Sequence, residues 1–164
     1  KIEEARKIYE IDKETYQNIK STLPCYSLNF NFNYWKKNEN IKEPTGFIYL
    51  DIDDETDINI NNQFIFATWL SLSGKGRGIL VKVDNLEVKN FKNTYLSIAK
   101  ILNIKADEKA AKPTQYTVQS FDYNLFLNNN SLTWKVENNI FKKLSTCIST
   151  DMSTTAHHKT TDIL

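Results

Sequence analysis

Glycine is nearly absent from this chain except in one place. Of four glycines in 164 residues, three stand at alternate positions of "SLSGKGRGI", residues 71–79, as Gly74, Gly76 and Gly78. Glycine weakens strand and helix interiors, so such a cluster marks a turn, a close approach of backbone to something else, or both. The flanking stretches "QFIFATWLSLS" and "GILVKVD" are apolar and rich in β-formers, which predicts a hairpin built around the glycines. Lys75 and Arg77 alternate with the glycines, and Ser71 and Ser73 precede them. That mixture predicts a loop that meets an anion, because glycine-permitted backbone can aim successive N–H groups into one concavity while the cations add charge. The stretch is not a Walker phosphate loop. Gly76 follows Lys75 where Ser or Thr is required, and Trp69 occupies the position of the early glycine.

The remaining pattern places this loop in a mixed fold. Ile2, Ala5 and Ile8 or Tyr9 fall at helical spacing, and Asp12 caps a second helical stretch carrying Tyr16, Ile19 and Leu23, which Pro24 ends. "CYSLNFNFNY" alternates, with Tyr26, Leu28, Phe30 and Phe32 on one face of a half-buried strand. "WKKNENIKEPTG" reads as a loop and "FIYLDID" as a buried strand that turns acidic at its end. Val88, Phe91, Tyr95, Ile98 and Leu102 form one helical stripe. "YTVQSF" and "LTWKV" read as later strands, and "NIFKKL" as a short helix. The order predicts an α+β domain with a mostly antiparallel sheet, for which an RNA-recognition-like βαββαβ core is the expected arrangement. Residues 1–144 are expected to form this domain and residues 145–164 a polar tail or linker.

Charge and cysteine usage exclude little. Lys and Arg number 21 against 20 Asp and Glu, a net charge of +1 that selects no partner. Cys25 and Cys147 belong to no metal spacing and are expected to be buried thiols of a reducing compartment. No apolar run approaches a membrane span, so no membrane partner is expected. His157 and His158, the only histidines, are adjacent and would point to opposite faces of a strand, which excludes a His-apolar-His metal site.

The chemistry is carried by "YLDIDDETD". Asp51 and Asp53 lie two residues apart at a strand end, so period-two geometry places both carboxylates on one face. Two like charges so placed are relieved by a divalent cation, and oxygen-only ligation suits Mg²⁺ or Mn²⁺. An acid pair ready for a metal, one strand away from a loop ready for an anion, describes a site for a metal-bound polyphosphate.

In this order, "LDID", "SLSGKGRGILVKV", a helix and "QSFDYNLFLNN" resemble the archaeo-eukaryotic primase superfamily, and within it the branch related to the VirE N-terminal domain. The resemblance runs from about Ala5 to Asn130. Asp51 and Asp53 match a D-x-D motif; Ser71, Ser73, Gly74 and Gly76 match an S-x-S-G-x-G loop; Ser120, Phe121 and Asp122 match an S-[YF]-D segment. The sequence departs from the pattern at Gly78 and Gln115, where cationic residues are usual, and at Tyr123, where proline is.

The resemblance implies a primase or primase–polymerase catalytic domain: a metal-dependent nucleotidyltransferase that joins nucleoside triphosphates on a single-stranded DNA template. Asp51, Asp53 and Asp107 would be the metal ligands, with Asp122 as the alternative third carboxylate. Ser71, Ser73, Gly74, Lys75, Gly76 and Arg77 would bind the nucleotide. It further implies a C-terminal helicase or primase region in a longer polypeptide, and the cytoplasm of a bacterial or phage-infected cell. Gly78 and Gln115 support the alternative of a single-stranded-DNA-binding or replication-initiation domain of the same fold.

Overall fold

The computed structural model describes residues 1–53 and 58–136. The expected helix at residues 139–144, the tail, Cys147 and both histidines lie outside them. Two short helices open the chain, α1 (Ile2–Ile8) and α2 (Lys13–Ser21). Asp12 caps α2 as expected: its carboxylate accepts from the Thr15 N–H at 3.0 Å and from the Thr15 hydroxyl at 2.6 Å.

The main sheet contains β4 (Phe47–Ile52), β5 (Ile65–Leu70), β6 (Arg77–Asp84) and β8 (Phe126–Leu127), in the order β4-β6-β5-β8 and antiparallel throughout. A two-residue strand, β9 (Trp134–Lys135), pairs parallel to the far end of β6. The hairpin predicted around the glycines is β5–β6. Helix α3 (Phe91–Ile101) covers one face of the sheet: Phe91, Tyr95 and Ile98, all fully buried, join Ile48, Leu50, Ile52, Ile79 and Val81 in the main core. Tyr49, Ala67 and Leu80 belong to the opposite face, where Leu28, Phe66 and Trp69 pack on them.

Helix α3 stops in a Schellman turn. Asn103 takes a left-handed φ of 53°, its N–H bonds the Lys100 carbonyl, and the Ile104 N–H bonds the Ala99 carbonyl. The chain therefore doubles back toward β4. This reversal brings Asp107 to the sheet.

The alternating stretch after Pro24 does not form one strand. It divides into β1 (Cys25–Tyr26), paired with β7 (Thr117–Val118), and β2 (Phe30–Phe32), paired with β3 (Ile41–Pro44). The break falls at Asn29, whose fully buried side chain accepts from the Tyr49 N–H at 2.8 Å. A buried asparagine needs a partner more than the strand needs continuity. β3 lies inside what the sequence suggested was a loop. Cys25 is exposed, not buried, because among the described residues β1 pairs only with the two-residue β7 and neither of its residues is covered.

Three α-helices with antiparallel sheets among the described residues make this an α+β protein. Among the described residues no helix is long and apolar enough to cross a membrane.

Candidate active site

Asp51 is the last but one residue of β4 and pairs across the sheet with Gly78, which pairs in turn with Trp69 on β5. Side chains directly opposite one another share a face, so Asp51, Gly78 and Trp69 lie on the face away from α3. The Tyr49 ring, two residues before Asp51, stacks on Trp69 with centroids 5.8 Å apart, and its hydroxyl donates to Asp51 Oδ1 at 3.2 Å. Burial holds the Asp51 carboxyl above the ordinary aspartate range, and the charges of Asp53 and Asp107 act in the same direction. The Tyr49 hydroxyl and the Lys20 ammonium oppose them.

Asp53 follows β4 in an exposed bend. Asp107 reaches the site through its backbone. Its N–H donates to the Asp51 carbonyl at 2.8 Å, and the Tyr95 hydroxyl, from α3, donates to the Asp107 carbonyl at 2.9 Å while accepting from the Asp51 N–H at 3.4 Å. Its Oδ1 accepts from the Lys109 N–H, capping a 3-10 turn (Glu108–Ala110).

Asp51, Asp53 and Asp107 all line one cleft of about 870 Å³, within the size range of pockets that take small-molecule ligands. Ser71, Ser73 and Lys75 line it as well. The cleft is closed by the α1–α2 hairpin, which is anchored by Ala5 and Tyr16 packing on Leu72, in the middle of the serine–glycine loop.

The donors fit a hard divalent ion in chemistry and charge: carboxylate oxygens only, one of them partly desolvated beside two further acids. They do not form a closed cage, since among the described residues no three acidic, histidine or cysteine side chains are grouped tightly enough to hold an ion. Asp107 Oδ1 is occupied by its cap, and Asp53 lies beyond the strand. Mg²⁺ characteristically binds through one or two carboxylates completed by substrate phosphates, and an open arrangement of this kind suits that mode.

The glycines of the loop, expected to open room for an anion, are closely approached by protein atoms. Gly74 is required for its φ of 75°. At Gly76 a Cβ would be driven into the Ile52 carbonyl oxygen and lie 2.8 Å from that of Asp53, so the loop rests directly on the backbone bearing the acids. At Gly78 a Cβ would lie 2.8 Å from ring atoms of both Trp69 and Tyr49. The loop's amides are spent internally. Gly74 N–H bonds the Ser71 carbonyl, Lys75 N–H the Ser73 hydroxyl and Gly76 N–H the Ser71 hydroxyl. The glycines thus serve close packing of protein on protein.

The cations of the loop are also engaged. Lys75 pairs with Glu10 at 2.9 Å across the mouth of the cleft. Arg77 is opposite Ile52 in the register, so it points to the face of α3, away from Asp51. There its Nε donates to Thr68 and its guanidinium meets Asp122 at 3.5 Å. Asp122 is almost buried, accepts from the N–H groups of Leu70 and Asn124, and does not line the cleft. Gln115 does line it, donating to the Tyr116 carbonyl.

Several residues of the site had no voice in the motifs. Arg6 donates from one nitrogen to the Ser71 carbonyl, the Ser120 hydroxyl and the Phe121 carbonyl, tying α1 to the loop and to the S-[YF]-D segment. Lys20, Lys109 and Lys112 line the cleft. Lys20 was detectable: it stands four residues after the buried Tyr16, on the same face of α2. Of the aromatic row, Phe30 is core, whereas Tyr34 and Trp35 stand out between β2 and β3, 84% and 79% exposed.

Comparison with protein-family models, with curated proteins and with solved structures gives no match for this chain.

Proposed function

We propose that the cleft is the active site of a metal-dependent nucleotidyltransferase, a DNA primase or primase–polymerase domain acting on nucleoside triphosphates and a single-stranded DNA template. The observation that carries this reading is the gathering of Asp107 with Asp51 and Asp53, more than fifty positions earlier in the chain, on one cleft with Asp51 partly desolvated. The antiparallel β4-β6-β5 sheet with α3 on one face is the α+β frame on which this reading builds.

In this reading Asp51 and Asp53 hold Mg²⁺ or Mn²⁺, with Asp107 as the third acid. Such an ion, when bound, supplies acidification of the attacking 3′-hydroxyl and charge neutralisation at the leaving pyrophosphate. Tyr49 orients Asp51 through its hydroxyl, and Tyr95 fixes the spacing of Asp51 and Asp107. Ser71 and Ser73 offer hydroxyls in the same cleft. The test is template-directed incorporation of labelled nucleotides with Mn²⁺. Asp51→Ala and Asp53→Ala should each abolish product, and unchanged synthesis in either would refute the assignment.

A second reading, a single-stranded-DNA-binding domain of the same fold, is favoured by the engaged loop amides and by the exposed Tyr34 and Trp35, which are suited to base stacking. It requires salt-dependent binding of single strands with no incorporation.

A further inference from the structure

With its loop amides bonded internally, Lys75 held by Glu10 and Arg77 on the far face, the cleft still carries positive charge. Lys20 from α2, and Lys109 and Lys112 from the segment after α3, line it, and none of the three has a salt bridge with a described residue. Lys36 stands within electrostatic reach of Lys112, its Nζ 3.4 Å above the ring of Tyr116, itself a lining residue. Burial lowers the Lys36 pKa, and the charge of Lys112 lowers it further. Lys20 is near enough to act on the Asp51 carboxyl, and Lys109 follows Asp107 by two residues, so the lysine ammoniums and the acids share one cleft.

Asp51, Asp53 and Asp107 line the same cleft. A bare anion would be repelled by those acids and a bare cation by the lysines. A polyphosphate chain bearing a divalent ion presents both signs, phosphates to the lysines and the ion to the acids.

We propose that Lys20, Lys109 and Lys112 form the polyphosphate-binding wall of this cleft, and that the glycine loop is its scaffold and not its anion cradle. The proposal rests on the nucleotidyltransferase reading for the identity of its ligand, the triphosphate tail of a nucleotide. Its own content, which side chains bind phosphate, stands apart from catalysis.

Calorimetric titration with inorganic tripolyphosphate, with and without Mg²⁺, tests it. The triple variant Lys20→Gln, Lys109→Gln, Lys112→Gln should bind about tenfold or more weakly than the unsubstituted chain, while Lys75→Gln should cost less than about twofold. All four side chains are partly or fully exposed, and thermal melts establish that the variants fold. A triple variant that binds normally, a Lys75→Gln loss as large as that of the triple variant, or no binding by the unsubstituted chain under either condition would overturn the proposal. Tripolyphosphate binding with the expected pattern, in a protein that incorporates no nucleotide, sustains this wall and removes the polymerase reading.

Discussion

The Asp107 N–H donates to the Asp51 carbonyl at 2.8 Å, although 56 positions separate the two in sequence. The bond is held in place by Tyr95, whose hydroxyl bridges the Asp51 N–H and the Asp107 carbonyl. Tyr95→Phe leaves both backbone groups short of a partner and should cost about 1 kcal/mol of stability. Faster hydrogen exchange across residues 104–110, together with weaker Mn²⁺ binding, is the expected result. Unchanged exchange there would show that the Schellman turn alone positions Asp107.

Asp51 should lower the stability of the fold it serves. Its carboxyl is held above the ordinary value of 3.8, chiefly by burial, so the folded chain holds that proton more tightly than the unfolded one. The resulting stabilisation is complete below pH 3.8 and disappears as pH rises through the folded-state value. Asp51→Asn should therefore be more stable than the unsubstituted protein near neutrality, with the difference shrinking toward pH 4, while nucleotide incorporation is lost. Urea denaturation across that range measures it.

Gly76→Ala and Gly78→Ala should both destabilise, by about 1–3 kcal/mol, the usual cost of overpacking. Gly76→Ala should be the worse, because its Cβ meets backbone carbonyls that cannot turn aside, whereas the obstacle at Gly78 is two side-chain rings. Denaturant midpoints rank them, and the opposite order would place the tighter contact at the aromatic pair.

Arg6→Lys keeps the charge but shortens the side chain. The lysine nitrogen sits one bond nearer the backbone than the Arg6 Nη that reaches all three acceptors, so a loss of about 1–3 kcal/mol is expected, along with faster hydrogen exchange in residues 71–76. Exchange mass spectrometry reads this directly. Exchange in residues 71–76 as slow as in the unsubstituted chain would mean that Leu72 packing suffices to hold the loop.

The sequence made some of this visible for physical reasons. Periodicity exposed α3 because its stripe of Phe91, Tyr95 and Ile98 is continuous, and the hairpin because apolar runs flank a glycine cluster. The gathering of Asp51 with Asp107 came from motif order, not from local pattern, since nothing in "KADEK" announces a site. The split of the first strand was hidden because Asn29 looks like any polar alternant until Tyr49 is seen to need it. The engagement of the glycine loop was equally hidden. Whether a glycine clears room for a ligand or for a neighbouring carbonyl depends on what lies across from it, and for Gly76 that is Ile52, 24 positions earlier. Apart from Lys20, which follows Tyr16 by one helical turn, the lysines of the cleft were illegible because solvated lysines occur throughout the chain, and only the fold distinguishes Lys109 and Lys112 from the rest.

The outer side of β4 has one more consequence. No strand pairs there among the described residues, and its polar groups are met instead by the Asn29 amide, the Tyr95 hydroxyl and the Asp107 backbone. An uncovered strand margin is a template for other chains. The same few bonds that align the acids therefore guard against aggregation, and substitutions that loosen Asn29 or Tyr95 should make the protein less soluble as well as less active.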